Sequence, residues 1–176
     1  MKKMVLQIFQ GEIEKQCKFA IIAIEQIKTG LANTNSDLDV VWYAIQNFLV
    51  AVANISKFFW PQYPISQKRG EELRKSLSIK NDSPIGPRKF RNHFEHFDER
   101  LERWATSSKR HNFIDSNIGP PNMMIAGIGQ QDFLRNFDPT TWTLTFRGDK
   151  YELKPIIEGI YDLYSKVYSK GFNRSE

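Results

Sequence analysis

Between residues 38 and 60, apolar side chains return every three or four positions: Val41, Ile45, Phe48, Val52, Ile55 and Phe59. A strand cannot keep that spacing on one face, because its side chains alternate with a period of two, whereas an α-helix gathers these positions into a single stripe. Pro61 ends the pattern, since it has no N–H to extend the helical ladder. A long helix with one apolar face must bury it against other elements. Residues 3–29 offer the first partner, with Ile8, Ile13, Ala20, Ile24 and Ile27 at helical spacing and Gly30 as a stop. The polar turn at 33–37 supplies Ser36 or Asp37 as N-cap for the second helix. A short charged helix is expected over 66–78, another over 88–107 opening behind Pro87, and a last one over 155–170 carrying Ile156, Ile157, Ile160, Leu163, Tyr164 and Val167.

Between the last two helices the pattern changes. Residues 111–122, with Gly119-Pro120-Pro121, read as loop, and 123–128 is a short apolar run. Residues 133–137, 142–146 and 151–153 read as strands separated by Asp138-Pro139-Thr140 and Gly148-Asp149. Trp142, Leu144 and Phe146 alternate with Thr143, Thr145 and Arg147, as a half-buried strand requires. The expected fold is mainly α: a bundle of four to five helices with a small antiparallel β-meander before the last helix. Residues 1–176 form one domain, with 111–153 as a loop and β-rich insertion. An apolar share of 40% against 26% charged is globular composition and excludes a disordered chain. No apolar run reaches the roughly 18 residues that cross a bilayer, and Glu12 and Glu14 interrupt the N-terminal apolar stretch too early for a signal peptide. The single cysteine, Cys17, excludes an intramolecular disulfide and reads as a small core residue. A cytoplasmic protein without a membrane partner follows.

The formal charge of +5 is unevenly distributed. Residues 66–112 hold twelve Lys and Arg against seven Asp and Glu, which accounts for the whole excess. A local basic excess favours a polyanionic partner through phosphate contacts and counterion release. It also fits an ordinary solvated, ion-paired surface.

The helix expected over 88–107 carries two of the three histidines. Phe90, Phe94, Phe97, Leu101 and Trp104 fall in one sector and form a core-facing stripe. With Phe90 as origin, Lys89, Asn92, His93, His96, Arg100 and Arg103 lie between roughly 200° and 300°, a sector with no carboxylate. Glu95, Asp98, Glu99 and Glu102 lie between roughly 80° and 180°. A solvated helix usually mixes its signs to gain i,i+4 pairs, as Arg91 and Glu95 do here. The basic flank therefore has three readings: it meets phosphate, it meets the acidic flank of a second copy, or His96 stays neutral and Arg100 pairs elsewhere. His93 and His96 also make an H-x-x-H pair, which would need further ligands to hold a metal. His111 reads as a surface histidine in a loop.

The run Arg91-Asn92-His93-Phe94-Glu95-His96 matches R-x4-H with a polar residue after the arginine. It resembles the signature of the HEPN domains (higher eukaryote and prokaryote nucleotide-binding). The order of elements is similar too, with long helices first, the motif on a late helix and a final helix behind it. The resemblance covers 1–110 and 154–172, and residues 120–153 lie outside the usual minimal domain. It implies an all-α bundle that dimerises, and in many members a metal-independent endoribonuclease serving as toxin, phage-defence effector or RNA-processing enzyme. Arg91 and His96 would then be the catalytic pair and Asn92 the polar residue that orients the arginine. His96 would serve as general base on an RNA 2′-hydroxyl or acid on the leaving 5′-oxygen. Arg91 would stabilise charge on the phosphorane-like transition state. Lys89, Arg100 and Arg103 would hold the RNA backbone. No cofactor and no metal is required, and an antitoxin or regulatory protein is a further implied partner. One common variant has tyrosine two positions after the histidine. Asp98 stands there, so nucleotidylation has no acceptor at that point.

On a straight helix Arg91 and His96 are about 140° apart and flank the surface opposite the aromatic stripe. Both would face outward, and two such helices meeting across a two-fold axis would bring two arginines and two histidines into one cleft. The expected assembly is therefore a homodimer through the motif helix. The other readings are a non-catalytic HEPN-like module that binds nucleotide, RNA or protein, and an unrelated helical interaction protein.

Overall fold

The computed structural model describes residues 1–32, 37–121 and 127–170. Helix α1 spans Lys3–Ala32 and α2 spans Leu38–Phe59. They pack along their length through Ile13, Cys17, Ala20, Ile24 and Ile27 on one side and Val41, Ile45, Phe48, Val52, Ile55 and Phe59 on the other, all buried. Ile8 departs from the expected stripe: it is exposed. Gly30 does not stop α1, which runs on to Ala32. Its role is close approach, because a Cβ there would lie 2.7 Å from Val41 Cγ2. Asp37 caps α2, its carboxylate accepting from the Asp39 N–H at 2.9 Å. The expectation that no apolar run could cross a bilayer needs correction. By length and composition α2 could, but more than half of its most apolar window is buried inside the bundle.

After Pro61 and a short 3-10 turn at Pro64–Ser66, α3 spans Gln67–Ser76. Leu73 of α3 joins the core, as do Ile156, Ile160, Leu163 and Val167 of α6, Lys154–Ser169. The expected motif helix is present but broken. Helix α4 spans Lys89–Glu95 and α5 spans Phe97–Ser107, with His96 between them at φ −112°, ψ 41°.

A small sheet precedes α6, as expected, but it has four strands rather than three, one of them inside the expected 111–122 loop, and it is mixed rather than antiparallel. Strands β2 (Arg135–Asp138), β3 (Thr143–Phe146) and β4 (Asp149–Glu152) form the meander, in register at Phe137, Leu144 and Tyr151. Strand β1 (Asn117–Ile118) adds to β2 in parallel, Ile118 facing Phe137. The stretch between β1 and β2 is long enough for the crossover that a parallel pair needs. Trp142 adopts a positive φ of 56° in the turn, so β3 begins one residue later than expected. The expected alternation also fails, because Thr145 is buried along with Leu144 and Phe146. The sheet is not a separate layer. Leu134, Phe137, Leu144 and Phe146 join the helical core, Tyr151 stacks on Phe90 at 5.1 Å, and Trp42 of α2 donates to the Ser116 carbonyl at 2.8 Å. The apolar run at 123–126 and the turn residues 33–36 lie outside the described residues.

Candidate functional site

The break at His96 arranges the motif residues. The His96 N–H still donates to the Asn92 carbonyl at 3.1 Å, and its carbonyl accepts from the Arg100 N–H at 3.1 Å, so each half-helix uses it as a cap. The aromatic stripe divides there. Phe90 is buried and Phe94 lies 6.2 Å from Trp42 of α2. Phe97 instead sits edge-on to Phe146 of β3 and under the Arg135 guanidinium, 4.1 Å from the ring centre. Helix α4 thus packs on both α2 and the sheet, α5 packs on the sheet, and no residue of α5 is fully buried. The expectation of one continuous core stripe holds fully only at Phe90, while Phe94, Phe97, Leu101 and Trp104 are partly buried against the core.

Arg91 and His96 take different positions. The Arg91 side chain is 15% exposed, so it does not face outward as expected. Its Nη2 pairs with Glu95 Oε2 at 2.5 Å and donates to Asn92 Oδ1 at 3.4 Å, while its Nε is buried without a partner. His96 does face outward, at 52% side-chain exposure, with Nδ1 3.6 Å from Glu99 Oε1. Asn92 thus contacts the arginine, whereas Arg91 and His96 have no contact with each other in the protomer. Each keeps its own carboxylate.

A second cluster forms on the other flank. His93 is buried, its ring stacked on Phe146 at 4.5 Å and 7°. Its Nδ1 accepts from Arg100 Nε at 3.3 Å. Because arginine is only a donor, the proton of neutral His93 must sit on Nε2. That atom is buried without a hydrogen bond and lies 3.7 Å from Asp149 Oδ2. Burial pushes the His93 pKa below its usual 6.5, the Arg100 charge pushes the same way, and Asp149 opposes them. Lys89 pairs with Asp149 at 3.0 Å. The expected carboxylate-free flank is thus corrected, since β4 brings Asp149 into it.

Arg100 and Arg103 share a cavity of about 200 Å³ with His93, Gln131, Phe146 and Arg147. The structure therefore gathers Arg100 and Arg103 as expected, places Lys89 at the Asp149 rim, and leaves His96 outside. Arg147 and Gln131 were not expected here. Strand alternation sets Arg147 opposite Leu144 and Phe146, on the solvent face, whereas in the structure it turns to Ser107 at the end of α5. His93 and His96 do not form a joint site, one being buried and the other exposed. Among the described residues no group of three or more His, Cys, Asp or Glu is placed to hold a metal ion. His111 is an exposed loop residue at φ 52°, with Nε2 3.1 Å from the Ala105 carbonyl.

With the fold and site in view, no family model matches the chain, and no curated protein or solved structure matches it.

Proposed function

We propose that this chain is a metal-independent endoribonuclease of HEPN type, acting in the cytoplasm as a homodimer that cuts single-stranded RNA by attack of the strand's own 2′-hydroxyl. The observation that carries the reading is the disposition of the R-N-x-x-x-H run. Asn92 and Glu95 hold the Arg91 guanidinium in place, and the imidazole of His96 stands exposed at the junction of two helices. Two copies meeting at that junction supply two histidines. One takes the proton of the 2′-hydroxyl as its oxygen bonds to phosphorus. The other returns a proton to the 5′-oxygen as the P–O5′ bond breaks, leaving a 2′,3′-cyclic phosphate and a 5′-hydroxyl. Arg91 binds the non-bridging oxygens through charge-assisted hydrogen bonds, which strengthen as charge builds on phosphorus. Glu95 must yield the guanidinium when phosphate arrives. A toxin or phage-defence role, with an antitoxin or regulatory partner, belongs to the same reading.

One observation favours a second reading. The 2.5 Å Arg91–Glu95 pair already neutralises the guanidinium charge, as suits a non-catalytic module that binds RNA or a protein. Incubation of a mixed single-stranded RNA pool with the protein in EDTA separates the two. Cleavage with cyclic phosphate ends is expected. No cleavage, together with retained RNA binding, transfers the conclusion to the binding module.

A further inference from the structure

The basic flank has more cations than the carboxylates around it can match. Arg103, Arg147 and Lys109 have no carboxylate within ion-pair distance among the described residues, and Arg100 reaches only Glu99, at 3.9 Å. Asp149, the one carboxylate lining the His93 cavity, is engaged by Lys89. Two buried donors in this cluster are also unsatisfied: Nε2 of His93 and Nε of Arg147. Arg147 is held at φ 48° beside Gly148, with its Nη2 donating to Ser107 Oγ at 3.0 Å. Non-glycine residues pay a conformational cost at such φ, and sites of this kind persist where the surroundings over-determine them.

The cavity does not end there. Gln131 and Arg147 also line a second, open cavity of about 640 Å³ bordered by Ser107, Ser108, Lys109 and Arg110. The carboxylate of Asp132, which borders it too, is occupied by the Gly129 N–H at 2.8 Å. The result is a path of guanidinium and ammonium groups with hydroxyls between them. Guanidinium groups bind phosphate oxygens in a fork, and a line of cations along a groove matches a nucleic-acid backbone better than a single small anion.

We propose that the groove from His93, Arg100 and Arg103 through Arg147 to Lys109 and Arg110 binds successive phosphates of a single-stranded RNA. The identity of the strand rests on the ribonuclease reading above. The groove itself lies on the flank of α5 and the β3–β4 turn, and includes neither Arg91 nor His96. Arg100, held by its hydrogen bond to His93, and Arg103 meet the first phosphate, and Arg147 bridges the two cavities.

The test uses a labelled 2′-O-methyl oligoribonucleotide, which has no hydroxyl to attack phosphorus, with binding read by fluorescence anisotropy over a salt series. Arg147→Gln and the exposed-site variant Arg103→Gln should each weaken binding about tenfold, the scale of a lost charge-assisted hydrogen bond. Each should also flatten the dependence of log K on log salt by roughly one ion. Lys15→Gln, on α1, should change neither. Cleavage of the matching natural RNA is measured alongside. If the variants lose binding but the parent never cuts, the groove stands and the ribonuclease reading falls. If the parent cuts and both variants bind with the parent's affinity and slope, the groove is overturned and the ribonuclease reading survives. Equal weakening by Lys15→Gln also overturns it. So does a melting temperature raised by inorganic phosphate in a parent that does not bind the oligonucleotide.

Discussion

Helices α1 and α2 bury one apolar stripe against each other along unbroken lengths, with Phe19, Ile22, Tyr43 and Val50 left exposed, whereas what looks like one helix is broken into α4, which packs on both α2 and the sheet, and α5, which only half-buries its face. The difference extends to the polar atoms. Of the buried side-chain nitrogens and oxygens that lack a partner among the described residues, none lies on α1 or α2, and all but Arg69 Nε fall on α4, β2, β3 or the turn after β3. A segment whose local rules all agree serves stability. Exceptions to those rules tend to gather where chemistry is done. Arg91 of the motif, and His93 and Arg147 of the basic flank, lie among those exceptions.

The largest effect that sharpens this contrast is in the core. Phe59→Ala, at a fully buried site of α2, should cost about 3–5 kcal/mol in urea unfolding, whereas Leu101→Ala on the half-buried face of α5 should cost about 1 kcal/mol. Equal costs would dissolve the distinction. Next in size is Gly70→Ala. Alanine is the better helix former, yet its Cβ would meet the Phe59 carbonyl at 2.5 Å and Pro61 Cδ at 2.7 Å. A loss of about 1–3 kcal/mol is expected, and a gain would show that α3 is free to move away from α2.

A smaller effect concerns pH. The folded-state pKa of His93 is lowered, so its contribution is full above the usual value of 6.5. As pH falls through that value the unfolded chain takes up a proton that the folded chain does not, and stability declines. The melting temperature should fall between pH 7 and pH 5, less steeply in His93→Gln. Equal slopes would place His93 in water rather than against Phe146. The smallest effect is expected at Cys17. Burial pushes its thiol pKa up to about 12, so it is no nucleophile at neutral pH. Cys17→Ala should leave RNA cleavage unchanged, and loss of cleavage with folding intact would give α1 a chemical role.

The contrast also marks what the sequence made legible. The stripes of α1, α2 and α6 were readable because helical periodicity is a local property and each helix buries one face. The break at His96 was not, because the aromatic spacing runs through it without interruption, and the partners of Phe94 and Phe97, Trp42 and Phe146, lie far away in the chain. Strand β1 was missed because its pairing partner lies far along the chain. Among the site residues, Arg91, Asn92 and His96 could be picked out as a motif, and Arg100 and Arg103 as a charged flank. Arg147 and Asp149 could not, since only the packing of the β3–β4 turn on α5 brings them to His93. The helical wheel also misplaced Arg91, because it fixes an angle about one axis and carries no information about what covers that side.

In the proposed mechanism Arg91 and His96 act on RNA, while His93, three residues away from His96, acts on structure and binding. The direct measurement is single-turnover cleavage of a single-stranded RNA in EDTA by the parent and by Arg91→Ala, His96→Ala and His93→Ala, with the melting temperature of each. His96→Ala and Arg91→Ala should each lose roughly 10²–10⁴-fold in rate, the usual contribution of a positioned proton-transfer group or transition-state donor. His96→Ala should melt as the parent does, and His93→Ala should melt lower while keeping cleavage once RNA is saturating. Abolished cleavage in His93→Ala beside an active His96→Ala would contradict the claim.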